Sequence, residues 1–316
     1  VLSGGDALNV LVTGSSGLIG SGICSFLTKS KHRVLRMVRR SPLEADEISW
    51  NPSSGTLDRS ALEGLDAVVH LAGENIASGR WTTKKKLRIR ESRVQGTRLL
   101  CQSLAQLFDP PEVLVSVSAI GYYGDRGVEQ LDEESSPGKG FLPETCREWE
   151  SATEPAAVRG IRVVILRIGM VLSSAGGALA LMLPIYRLGI GGRIGNGRQY
   201  ISWIAIDDVV GAINYAINRK WLQGPVNAVS PNPETNLAFT QTLSRVLSRP
   251  AMFALPAFAA RFALGEMADE LLLSSSRVMP AKLLKSGYAF AFPKLEGALR
   301  HILQRPASQA GPQRQI

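Results

Sequence analysis

Three glycines spaced three apart, Gly14, Gly17 and Gly20, follow an apolar run at residues 10–12 and precede a helical pattern. Their chemistry is binding: this arrangement grips the pyrophosphate of a dinucleotide. The apolar run reads as a strand buried on both faces of a parallel sheet. Gly14 makes the tight turn off the strand, Gly17 lets the backbone approach the pyrophosphate, and Gly20 lets the helix pack closely on the strand. The free N–H groups at the helix start then point at negative charge. A purely structural glycine turn is the plain alternative, and the strand before and helix after weigh against it.

A second strand is expected at residues 33–38, ending at Val38 and followed by Arg39 and Arg40. A site for NAD usually places an acidic residue here, roughly 20 residues past the glycines, for the ribose 2′-hydroxyl. None is present. A guanidinium fork suits a 2′-phosphate instead, so NADP(H) is the expected cofactor, with Arg39 the stronger candidate because it comes first after the strand.

These residues need elements to position them. A strand is predicted over 66–73, a long helix over 81–108, and strands over 113–118 and 162–167 with a helix over 142–159 between them. In the long helix, Leu87, Val94, Leu99, Leu100, Leu104 and Leu107 are the core candidates. Repeated strand–helix units mean an α/β fold: a Rossmann-type, doubly wound parallel sheet. After Ile168 the pattern changes. An apolar segment at 178–188 sits in glycine-rich surroundings, a helix is expected over 207–219 and a short strand over 225–229, and 236–303 is mostly helical. The expected organisation is a Rossmann domain over 1–168, with 201–223 returning to it. A smaller, mostly helical substrate-side lobe then takes 169–200 and 224–303, and 304–316 reads as a disordered tail.

The 316 residues can bury a sizeable core, and 45% hydrophobic with 20% charged residues is ordinary globular composition. A formal net charge of +9 suits an anionic ligand. No basic, aromatic-rich motif accompanies it, so a nucleic-acid partner is not expected. Three scattered histidines and no C-x-x-C leave no metal site in view. Three widely spaced cysteines point to a reducing compartment, the cytoplasm or an organelle stroma or matrix. No apolar run reaches membrane-spanning length. A small-molecule partner is expected, and a homodimer stays open.

Taken together, 13–20 (Thr-Gly-x-x-Gly-x-x-Gly) and His70-Leu-Ala-Gly73 resemble the extended short-chain dehydrogenase/reductases, the class of the nucleotide-sugar epimerases. A finer likeness is to an atypical, epimerase-like branch, the YfcH-like proteins. It is carried by Leu71-Ala-Gly-Glu-Asn-Ile76, Ser118-Ala-Ile-Gly-Tyr-Tyr-Gly124, Trp149-Glu150, Gly176-Gly-Ala-Leu179, Asp207-Asp208 and Gly224-Pro-Val-Asn227, and runs from about residue 8 to 303. The resemblance implies that Ser15, Ser16, Gly17, Leu18 and Ile19 line the diphosphate through backbone groups. Leu71, Ala72, Gly73 and Glu74 would end a strand beside the cofactor, and Arg93 would pair with phosphate or substrate. Arg167, Ile168, Gly169 and Val171 would flank the nicotinamide.

The same resemblance calls for a Ser/Thr, a Tyr and a Lys, the last two as Tyr-x-x-x-Lys on one helix. Here Leu142 and Cys146 stand at the tyrosine and lysine positions, so the pair is absent. Ser118 fits the serine position, and Tyr122 and Tyr123 just beyond it are the candidate surrogate acids. Ala205 stands where the branch usually has histidine, and Asp207 reads as a helix N-terminal residue. Two functions of different kinds follow. One is an NADP(H)-dependent oxidoreductase or epimerase-like enzyme acting on a hydroxyl or carbonyl carbon, and the other a non-catalytic NADP(H)-binding sensor or scaffold.

Overall fold

In the computed structural model, which describes residues 7–304, the first apolar run forms β1 (Asn9–Thr13). Strand side chains alternate between faces. Val10 and Val12 enter the core on one side of the sheet, and Leu11 enters the core on the other. Cover on both sides is why the run is continuously apolar. α1 (Leu18–Lys29) buries Gly20, Ile23 and Leu27. β2 (Arg33–Val38), β3 (Glu47–Asn51), β4 (Thr56–Leu57) and β5 (Ala67–His70) follow, and then α2 (Thr83–Ala105) and β6 (Val113–Ala119). Leu100, Leu104 and Leu107 are buried as expected, whereas Leu87 is half exposed and Ile89 is buried in its place.

β7 (Gln130–Leu131), α3 (Phe141–Ser151), α4 (Glu154–Val158), β8 (Arg162–Ile168) and β9 (Met170–Leu172) come next. The helix expected over 142–159 is therefore two helices. Pro155 opens the second, at a position where its missing N–H costs no hydrogen bond. α5 (Gly177–Arg187), β10 (Tyr200–Ile201), β11 (Trp203–Ala205), α6 (Ile206–Asn218) and β12 (Gly224–Ala228) lead to the last segment. That segment holds β13 (Glu234–Thr235), α7 (Asn236–Leu247), α8 (Ala257–Leu264), α9 (Glu266–Ala268), β14 (Arg277–Val278), α10 (Ala281–Lys285) and α11 (Leu295–Gln304). The tail expected at 304–316 lies outside the described residues beyond Gln304.

The main sheet has eight strands in the order β12-β8-β6-β5-β1-β2-β3-β4. Every pairing is parallel except β3 with β4. Growth runs one way from β1 through β2 and the other way through β5, so the sheet reverses at β1. In such folds the ligand crevice opens at the carboxyl ends of the strands at that reversal. α1 and α6 pack with Val10 and Val12, and α2 and α4 with Leu11, which makes the sheet doubly wound.

Two placements differ from expectation. β3 and β4 were not legible, because Glu47-Ile-Ser-Trp-Asn51 carries only two apolar side chains, Ile48 and Trp50, both buried. Residues 224–228 belong to the main sheet, not to the second lobe: β12 pairs with β8 along its whole length. Its edge position accommodates Pro225, which has no N–H to give a neighbour. The second lobe has its own core, built by α5, α7 and α11 around Trp203, Phe239 and Leu299. No helix among the described residues is long and apolar enough to cross a membrane.

Candidate functional site

The glycine loop joins β1 to α1 at the sheet reversal. Gly14 has φ +65°, and a Cβ there would lie 2.9 Å from the Leu71 carbonyl carbon and 3.0 Å from the Ala72 nitrogen. Conformation and close approach to the end of β5 both demand glycine. A Cβ on Gly20 would collide with the Gly14 carbonyl oxygen. The close packing at Gly20 is thus with the loop, one residue beyond the strand. Gly17 heads α1 and is exposed; the first turn has neither a side-chain cap nor an acidic residue. The first turn carries no competing anion, which fits a diphosphate cradled by 14–20.

Behind the loop lies a hydrogen-bond chain that sequence reasoning missed. Thr13 Oγ1 accepts from the Leu71 and Ala72 N–H groups at 3.1 and 3.2 Å, and meets His70 Nδ1 at 2.8 Å. His70 Nε2 lies 2.9 Å from Thr97 Oγ1, which also accepts from Trp149 Nε1 at 2.9 Å. Burial pushes the His70 pKa down to about 4, so the ring is neutral. With Thr13 already accepting twice, its hydroxyl donates to Nδ1, and the imidazole proton sits on Nε2. The chain ties β1, β5, α2 and α3 together directly beneath Leu71, Ala72 and Gly73. His70 was legible only as part of a strand end, because its partners are 57 and 27 residues away.

At the adenosine end, Val38 closes β2 and Arg39 is exposed, with no hydrogen bond or ion pair among the described residues. Arg40 is already paired. It forks onto Glu47 at 2.7 and 2.6 Å, and the Arg40 hydrogen bonds pull the Glu47 carboxyl down to about 2. Its guanidinium is committed to the sheet edge. Glu74 is paired in the same way: its carboxylate receives Lys85 Nζ at 2.7 Å. Arg93 does not reach outward either. It donates to the carbonyls of Glu74 and Ile89, lies against Gly73, and stacks on Trp149 with 5.1 Å to the ring centroid. It supports the loop backbone from beneath.

At the far end, β6 and β8 run in register, with Ser118 opposite Arg167. Ser118 Oγ donates to Glu150 Oε1 at 2.7 Å, and Arg167 grips the same carboxylate at 2.9 and 2.8 Å. Burial works against the Arg167 charge, but the Glu150 hydrogen bonds outweigh it and hold its pKa above the usual value. Arg167 also donates to Tyr123 OH at 3.0 Å, and Tyr123 OH donates to Asn227 Oδ1 at 2.8 Å. Tyr123 is fully buried, and burial pushes its pKa up to about 12. Ser118 and Tyr123, both expected to face a substrate, are therefore members of a closed network. Tyr122 differs. It is half-buried, its ring lies 3.5 Å from the Arg167 guanidinium carbon, and its hydroxyl makes no hydrogen bond among the described residues.

α3 presents Leu142, Cys146 and Glu150 at a spacing of four, hence on one face. Leu142 packs on Gly121, and Ser118 bonds Glu150. Leu142 and Cys146, at the positions expected for the Tyr-x-x-x-Lys pair, carry no group that could act as that pair. Cys146 is buried, and burial pushes its thiol up to about 12, which disfavours the thiolate form. Ile168 is buried, Gly169 fits tightly against the Ser202 carbonyl and Val229, and Val171 lies in β9. Ala205 is buried, and Asp207 stands in the first turn of α6.

A glycine-bracketed helix start at the reversal of a doubly wound parallel sheet, with a helical lobe after it, defines an extended short-chain dehydrogenase/reductase. The chain belongs to the NAD dependent epimerase/dehydratase family, whose model matches residues 10–228, and its NAD(P)-binding fold is the one described above. A domain of unknown function matches residues 255–302. The chain is 43% identical to epimerase family protein ML0860 of Mycobacterium leprae over 94% of its length and 96% of that protein's. It is 37% identical to the chloroplastic SDR39U1 homolog of Arabidopsis thaliana, over 94% and 87% of the two chains. The human epimerase family protein SDR39U1, solved with NADPH, superposes with a TM-score of 0.86 at 32% identity, covering 95% of this chain and all of that one. A Thermotoga maritima UDP-glucose 4-epimerase shares the fold at 18% identity, with a TM-score of 0.74 over 94% and 98% of the two chains.

Proposed function

We propose that the protein is an NADP(H)-dependent oxidoreductase of epimerase-like kind acting on a hydroxyl or carbonyl carbon of a small molecule. The observation that carries the cofactor choice is Arg39. It is an exposed guanidinium with no ion pair among the described residues, at a strand end that lacks the acidic residue a free 2′-hydroxyl would call for. The human relative solved with NADPH supports the same choice. The bound nicotinamide supplies or accepts the hydride. The chain's own contribution is a proton at the substrate oxygen. Tyr122 is the hydroxyl for that role, because Ser118 and Tyr123 are committed to Glu150, Arg167 and Asn227.

NADPH oxidation followed across a panel of aldehydes, ketones and nucleotide sugars tests this reading. Loss of a positioned general acid lowers turnover by about 100-fold or more, so Tyr122→Phe should do so while NADPH binding is retained. Full turnover in that variant removes the role from Tyr122. A second reading, NADP(H) binding without turnover, is favoured by Leu142 and Cys146 at the missing pair. Silence of the wild-type protein across the whole panel, with binding intact, selects it. Three free cysteines, of which two are buried, fit the reducing compartment proposed from their number.

A further inference from the structure

Glu74 is one carboxylate facing three cations. Lys85 Nζ lies 2.7 Å from it and Arg88 Nη2 3.9 Å from it. The Lys85 hydrogen bond, the Lys85 charge, Arg88 and Arg39 all pull its pKa below the usual carboxylate value. Lys85 explains why an acid stands here. Its side chain is only 5% exposed, in the first turn of α2, where Thr82 caps the helix and Ser78 Oγ lies 2.7 Å from Nζ. A buried ammonium needs a paired carboxylate, and Glu74 provides it. The pair is neutral as a unit.

That leaves the two outer cations without a charge of their own to balance them. Arg88 is 56% exposed, and its one ion-pair partner among the described residues is the already engaged Glu74 oxygen, 3.9 Å away. Arg39 has no ion pair among the described residues. Arg39 follows β2 and Arg88 lies on α2. β2 and β5 both pair with β1, with Met37 and His70 opposite Thr13, so Arg39 and Glu74 leave the sheet at the same edge, and Arg88 stands 3.9 Å from Glu74. Two exposed guanidinium groups beside an acid already neutralised by Lys85 suit a dianion and gain little from a hydroxyl.

We propose that Arg88 is a second ligand of the ribose 2′-phosphate, opposite Arg39, and that the Glu74–Lys85 pair positions it. The proposal rests on the NADP(H) reading and assigns a specificity residue on α2, an element separate in sequence from the glycine loop and from β2. Binding of NADPH, NADH and adenosine 2′,5′-bisphosphate to the wild type, Arg39→Ala and Arg88→Ala proteins tests it by fluorescence and calorimetric titration. Losing one hydrogen-bonded charge contact costs about tenfold or more in affinity. Arg88→Ala should weaken NADPH and the bisphosphate by that factor and leave NADH within about twofold.

A merely structural Arg88 would weaken NADPH and NADH equally, and that result overturns the proposal. Unchanged NADPH affinity in Arg88→Ala, with preference lost in Arg39→Ala, overturns the role of Arg88 alone. Equal wild-type affinities for NADPH and NADH overturn the NADP(H) reading and this proposal together. Partial recovery of NADPH affinity in Arg88→Lys supports a charge contact.

Discussion

Residues here act in pairs whose members lie far apart in sequence, and His70 shows what that does to stability. Its pKa falls from 6.5 to about 4 on burial. Between those values the unfolded chain takes up a proton that the folded chain refuses. Stability therefore declines as pH drops from about 6.5 to about 4 and loses nothing further to this group below that. The full effect is about 3 kcal/mol. His70→Gln forfeits hydrogen bonds at neutral pH but escapes this decline. Urea unfolding at pH 7 and pH 4.5 should show the gap between wild type and variant narrowing by about 2 kcal/mol or more. A gap independent of pH would mean that the imidazole is not held neutral.

The Ser118, Glu150, Arg167, Tyr123 and Asn227 network follows the same logic with the opposite consequence for function. Ser118 and its acceptor are 32 residues apart, and Arg167 lies 17 beyond that acceptor. Sequence spacing could show that Ser118 ends a strand, which is a local fact. It could not show that the hydroxyl is already bonded, because the partner arrives on another element. The partners of Arg40 and Glu74 were hidden for the same reason: Glu47 comes from β3 and Lys85 from α2.

At the scale of elements, the glycine loop was legible because its determinants are consecutive. Gly14 needs φ +65°, a Cβ on Gly17 would lie 3.2 Å from the Gly14 carbonyl oxygen, and Gly20 needs room for that same carbonyl. The strand–helix alternation was legible through burial on both faces. β3 and β4 were not, because their burial depends on edge pairing with β2 and on Trp50 packing against His70. Gly20→Ala probes the loop as a unit. The added methyl would drive α1 away from the Gly14 carbonyl and from Ser15 Cα, 2.8 Å from the new atom. Overpacking of this kind costs about 1–3 kcal/mol. The larger expected effect is on binding: NADPH should no longer raise the melting temperature of this variant. A variant stabilised by NADPH as well as wild type would show that the close contact is dispensable.

At the scale of the whole molecule, two lobes meet over the carboxyl ends of the strands, and contacts from 262–270 reach the first lobe. Arg80 donates to the Phe262 carbonyl, Lys86 pairs with Glu266 at 2.8 Å, and Glu270 accepts from the Phe141 N–H at the start of α3. The second lobe thus rests on α2 and α3, the helices that carry Arg88 and the altered Leu142 and Cys146. The fold retains the family's cofactor platform while the proton-transfer pair has been replaced, so cofactor identity is the claim on which the account depends.

The relative affinity of NADPH and NADH, measured by titration on the wild type and on Arg39→Asp, tests that claim most directly. The wild type should bind NADPH about tenfold or more tightly than NADH, and Arg39→Asp should abolish or reverse the difference. Equal affinities in the wild type, or a preference that survives Arg39→Asp unchanged, would contradict it.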